Sequence, residues 1–170
     1  WKHMWLNEGF TSYVENRIVE AVYGNAQADE EFILAADELR GEVDETPKPD
    51  QRLVPAFDGR DPDDAGSDFA YTKGAWLLRT LEASYGREVF DAYLRGYFDH
   101  FAFQSITTDT MLAYLDENLI RKYPGHMSLA DVKAWIDEPG IPRDASVPKS
   151  PRFEMIAAAR SEWLAGKRRA

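Results

Sequence analysis

Apolar residues recur at helical spacing along almost the whole chain, and no stretch alternates as a half-buried strand would. The first periodic run predicts a helix from about Asn7, as N-cap, to Tyr23, with Gly24 as its stop. At about 100° per residue, Phe10, Val14, Ile18, Ala21 and Val22 fall on one arc, which predicts the buried face. Glu8, Glu15 and Val19 continue that arc, while Tyr13, Asn16, Arg17 and Glu20 lie opposite. A second helix opens at Asn25 or Asp29 and runs through Arg40, with Phe32, Ile33, Ala36 and Leu39 inward.

From about Glu42 to Asp68 the periodicity fades into a loop with four prolines and two glycines, in which Leu53–Phe57 can pack. Asp68 is the expected cap of a third helix from Phe69 to about Tyr85, its arc holding Ala75, Leu77, Leu78, Leu81 and, in the first turn, Tyr71. A fourth helix follows Gly86 to about Phe101. The Tyr- and Phe-rich stretch Tyr93–Phe103 reads as core. Thr107–Asp109 caps a fifth helix to about Arg121, and Ser128 caps a sixth through Ile136. Residues 142–151 carry three prolines and no apolar period, hence an extended linker, and a last helix runs from about Arg152 to Ala165 without an evident partner. The fold class is all-α.

Composition narrows the partners. A net charge of −10 disfavours nucleic acid and anionic membrane surfaces, and no run approaches the roughly 18 apolar residues of a membrane span. There are no cysteines, so any zinc must be held by His and carboxylate. The lack of cysteine and of a signal-peptide pattern suits the cytoplasm. His3, His100 and His126 have no paired metal-ligand spacing and read as packing or surface residues.

Glu8 and Glu15 are the anomaly. Seven residues apart, they drift only about 20° around a helix and both fall on its apolar side. A buried carboxylate without a partner neutralises, finds a cation or binds a metal. Two readings follow: rim acids that meet an Arg or Lys from a neighbouring element, or acids that serve a metal.

The literal string from Trp1 to Glu15 resembles the W-x-x-x-W-L-N-E-G-x-x-x-Y-x-E segment of zinc aminopeptidases of the aminopeptidase N and leukotriene hydrolase type. Three further stretches are similar to that family in the same order: Asp61–Gly74, Gln104–Asp109, and Trp135 followed by Pro139–Pro142. The last two point to the leukotriene hydrolase branch. The resemblance implies that Glu8 is a zinc ligand and Glu15 an acceptor for a ligating His. It implies that Tyr71 donates to the oxyanion of the tetrahedral intermediate and that Asp63 lies near the substrate pocket. Lys73 is left structural.

The departures are equally specific. No H-E-x-x-H, which supplies the family's two zinc-binding His and its general base, occurs in the sequence. Nor does its G-x-M-E-N strand. Gly66 stands where the leukotriene branch often has a second pocket Tyr. The chain therefore reads as the helical half of a thermolysin-like metallopeptidase domain, with zinc as cofactor, a peptide as substrate and the missing N-terminal half as partner. Residues 1–143 are its catalytic part, 144–151 the linker and 152–170 the start of a C-terminal helical domain. On this reading the isolated chain is inactive. Two alternatives stand: an acidic helical domain that binds a partner without catalysis, and a bifunctional aminopeptidase and epoxide hydrolase.

Overall fold

The computed structural model describes residues 1–62, 68–143 and 145–167. Among them the regular structure is entirely helical: α1 Trp5–Tyr23, α2 Asn25–Glu42, α3 Gly74–Tyr85, α4 Arg87–His100, α5 Thr108–Leu115, α6 Leu129–Asp137 and α7 Pro151–Leu164. Two wider, π-type turns extend this set, Phe69–Lys73 leading into α3 and Asp116–Ile120 continuing α5.

Helix α1 is the central element, packed against α2, α3 and the Phe69–Lys73 turn, and it meets α4 through side chains, Phe10 on Tyr97 and Tyr13 on Phe90. The core runs from Trp5 and Phe10 through Trp76, Leu77 and Leu81 to Phe90, Tyr97, Leu115 and Trp135. The caps behave as the chain pattern predicts at two starts. Thr107 accepts from the Thr110 amide, and Ser128 forms a reciprocal capping box with Asp131. Asp68 makes no side-chain cap bond, contrary to expectation. It lies instead near Glu42, whose carboxyl is pushed up first by burial and then by that neighbour.

The orientation of α1 reverses the expected one. Phe10 is buried, but Val14, Ile18, Ala21 and Val22 are exposed, and Tyr13 from the polar side is buried. A network of charges turns the helix this way. The Tyr13 hydroxyl donates to Glu82 at 2.6 Å, and Arg17 donates to Tyr13 at 2.8 Å and to both oxygens of Asp91 at 2.9 and 3.1 Å. Arg87 forks onto Glu20 at 2.6 and 2.8 Å and reaches Glu82 at 2.7 Å. Such bidentate, partly buried pairs outweigh lone surface ion pairs. Helix α1 also starts two residues early, because Trp5 is buried and its indole donates to Thr108 at 3.0 Å.

Two further expectations are corrected. Phe98 and Phe103, read as core, are exposed; Phe103 sits in a left-handed conformation at φ 61° that turns its ring outward. Tyr71 does not join the apolar arc of α3, because the π-type turn sets it on the outer side. The stretch from Pro47 to Phe57 is ordered, with a 3-10 turn over Lys48–Gln51 and Leu53 buried. Helix α7 has no buried residue and is tied to α2 where Ser150 and Arg152 donate to Glu30.

Candidate functional site

The site is built where α1 and the Phe69–Lys73 turn cross. Gly9 and Gly74 touch backbone to backbone, and the direction of a Gly9 side chain would end 3.3 Å from the Ala70 carbonyl oxygen. Glu8 stands one residue before this contact, on the helix that packs against the turn that carries Tyr71. Glu8 is half-buried, and its carboxylate has no hydrogen-bond or ion-pair partner among the described residues. The expectation of a rim acid paired with a neighbouring Arg or Lys is therefore not met at this position. Tyr71 is 40% exposed, with its hydroxyl equally unpartnered among those residues.

The other residues singled out in the sequence fall at different distances from this point. Glu15 is exposed, about 10 Å further along α1 at about 1.5 Å per residue. Asp63 lies outside the described residues. His3 is not free: its Nδ1 accepts from the Thr108 amide at 3.2 Å and lies 2.9 Å from Thr108 Oγ1. Burial, then Lys2 and the N-terminus, hold its imidazole below the ordinary range. Together with the Trp5 indole, this contact fixes the first turn of α1 to the start of α5. His126 lies tilted against Tyr85, and His100 meets Phe101 edge-on and Tyr114 at a tilt.

Two open spaces border Glu8 and Glu15. One, of about 640 Å³, is lined by His3, Met4, Glu8, Phe98, Phe103 and Ile106 among others. The second, about 600 Å³, follows the exposed apolar side of α1 past Phe10, Val14, Glu15, Ile18 and Val19. A narrow crevice of about 30 Å³ runs between Trp1, Trp5, Leu53, Phe57 and Ala70, on the Tyr71 side.

A zinc site needs three or four donors, and no group of three or more His, Cys, Asp or Glu comes together among the described residues. The described donors of this chain do not fit zinc by themselves. Glu8 can supply one ligand, and an unpaired, half-buried carboxylate suits that part.

Residues 1–136 match the Peptidase family M1 domain. The chain belongs to the M1 peptidase family. Among its curated M1 relatives, leucine aminopeptidase 2-1 of Meyerozyma guilliermondii is 33% identical over 98% of this chain and 27% of that protein. Leucine aminopeptidase 2 of Kluyveromyces lactis is 35% identical over 97% of this chain and 25% of its own length. The chain thus spans about a quarter of the length of these relatives. Native leukotriene A4 hydrolase from Saccharomyces cerevisiae superposes with a TM-score of 0.77 at 31% identity, covering 97% of this chain and 26% of that one. An M1 zinc metallopeptidase from Deinococcus radiodurans shares the fold, with a TM-score of 0.65 at 21% identity over 89% of this chain and 31% of that one.

Three positions escape a reading of the pattern. Gly9 lies inside α1 and Gly74 where the Phe69–Lys73 turn passes into α3, each costing about 1 kcal/mol of helix propensity, and that cost was the available signal of a close backbone approach. Lys73 is completely buried. Its Nζ donates to the main-chain oxygens of Gln51 at 2.9 Å and Glu138 at 2.7 Å, and burial draws its pKa down to about 8. Nothing in its spacing distinguishes it from a surface lysine.

Proposed function

We propose that this chain is part of a zinc-dependent aminopeptidase that removes N-terminal residues from peptides. The observation that carries the reading is the half-buried, unpaired Glu8 carboxylate one residue before the Gly9–Gly74 crossing, in a chain whose M1 relatives bear the name leucine aminopeptidase. Glu8 contributes one anionic ligand to a site completed by residues outside this chain, and Tyr71 donates its hydroxyl to the oxyanion that forms as water adds to the scissile carbonyl. A zinc ion bound there supplies Lewis-acid polarisation and a water of lowered pKa. Glu15 orients a ligating His, and Asp63 borders the substrate.

The apolar side of α1 is the bed on which the rest of the catalytic domain lies, and α7 opens a further helical domain beyond the 144–151 linker. Glu8→Gln in the full-length protein tests the reading. Loss of bound zinc with an unchanged fold supports it, and unchanged zinc content favours an acidic partner-binding domain instead. The likeness to leukotriene A4 hydrolase favours one second reading, epoxide hydrolysis alongside peptide hydrolysis. Assaying an aminoacyl anilide and a lipid epoxide on the same preparation separates the two.

A further inference from the structure

We propose that Lys73 is the positioning residue for Tyr71, acting as a buried anchor that sets the rotation of the turn on which the tyrosine is displayed. The proposal rests on the reading that Tyr71 serves the reaction. At about 100° per residue, positions two apart on a helix point to nearly opposite sides. The burial agrees, since Tyr71 is 40% exposed and Lys73 is 0% exposed.

The anchor is fixed at its far end. Lys73 Nζ bridges the carbonyls of Gln51 and Glu138, which belong to two separate segments. Gln51 is itself held where its Nε2 donates to Val43 O at 2.7 Å and Thr46 O at 2.6 Å. The Leu53 amide ties the same segment to Ile136 O at 3.0 Å, beside Glu138. Neither acceptor is a carboxylate, so Lys73 completes no ion pair in this position.

The turn needs such an anchor. Its hydrogen bonds are of the wider π type, and the Gly74 amide is shared between the carbonyls of Phe69 and Tyr71. One residue later Gly74 presses on Gly9, so the crossing fixes the end of the turn while Lys73 fixes its inner side. With both held, the backbone position from which the phenol projects is fixed.

A double-mutant cycle on kcat in the full-length protein tests this. If Lys73 acts through Tyr71, Lys73→Met lowers kcat on the order of 10- to 100-fold with KM nearly level, the scale expected when a reacting group is displaced by about 1 Å. In a Tyr71→Phe background the same change alters kcat less than about twofold, because the two residues act as one unit. Hydrogen exchange at the amides of Phe69–Gly74 rises in Lys73→Met. A Lys73→Met loss that multiplies in full onto Tyr71→Phe, or a wild-type kcat for Lys73→Met, overturns the proposal. A wild-type kcat for Tyr71→Phe overturns the oxyanion role itself, and that result is separate from either of the others. If Lys73→Met does not fold, Lys73→Gln, which keeps one amide donor, carries the same cycle to the same outcomes.

Discussion

Gly9 and Gly74 approach so closely that a Cβ added to either would lie 2.9 Å from the other's Cα. In an exposed helix interior, Gly→Ala is stabilising by about 0.5–1 kcal/mol. At this crossing the sign reverses, because the obstructing atoms are main chain and cannot rotate away. Gly9→Ala and Gly74→Ala are each expected to destabilise by about 1–3 kcal/mol, the usual cost of overpacking. Gly41→Ala on α2, with nothing within 4 Å of the new methyl, should stabilise. Urea denaturation of the three variants checks the contrast, and a stabilising Gly9→Ala would mean that the helices part easily.

The stability of the chain should rise with pH between about 8 and 10. Burial draws Lys73 down to about 8 in the folded state, whereas an unfolded lysine titrates near 10.4. Between these values the unfolded chain binds more protons, so stability increases with pH. Above about 10 the sign turns. Tyr93 and Tyr97 are both raised by burial, Tyr97 to about 12, and an unfolded tyrosine ionises first. Thermal unfolding from pH 7 to 11 should show this maximum, and Lys73→Met should remove its rising limb.

The isolated chain should hold no stoichiometric zinc after dialysis and should not cleave aminoacyl anilides, since Glu8 is a single donor where three or four are needed. Elemental analysis of the dialysed protein decides it. A one-to-one zinc content lost in Glu8→Ala would contradict the expectation.

In the full-length protein, Tyr71→Phe should lower kcat and kcat/KM together by about 10²–10³-fold, with KM nearly level, as removal of one oxyanion donor does. The exposed phenol makes no bond among the described residues, so stability should move by less than about 0.5 kcal/mol. Zinc content should stay unchanged, which separates this variant from Glu8→Gln.

The apolar side of α1 should make the chain associate when it is alone. Ile18 and Val22 are 58% and 63% exposed, and they continue a groove past Val14 and Phe10. Light scattering should show concentration-dependent self-association with binding of apolar dyes, and Ile18→Lys should weaken both. A strictly monomeric chain that binds no dye would contradict this.

The helices and several of their ends were legible because each is written locally. Ser128 with Asp131, three positions on, is a capping box, and Phe32, Ala36 and Leu39 fall on one stripe and are buried together. What was not legible depends on partners far along the chain. The wheel of α1 counts apolar positions, but Glu82 and Asp91, about seventy residues away, decide which side of the helix turns inward. The π-type turn at Phe69–Lys73 is a change of hydrogen-bond register that leaves no mark on residue type. At the candidate site the family string pointed to Glu8 and Tyr71. The Gly9–Gly74 crossing of the helix that carries Glu8 with the turn that carries Tyr71, and the burial of Lys73, emerged only from packing.

The inward charged side of α1 has a kinetic corollary. During collapse a helix is sorted by its oily stripe, which acts early and without regard to direction. Ion pairs act late, once their particular partners have arrived. In α1 these two instructions disagree: Val14, Ile18 and Val22 argue for one rotation, and Tyr13, Arg17 and Glu20 for another. The expected rival of this structure is therefore a misrotated α1, helical but turned by about half a turn. Escape from it requires the helix to roll about its own axis while α3 and α4 are already in contact. A rotation of α1, rather than the making of any helix, is thus the step expected to limit refolding, and tertiary fluorescence that lags far-UV circular dichroism in stopped-flow refolding would check it.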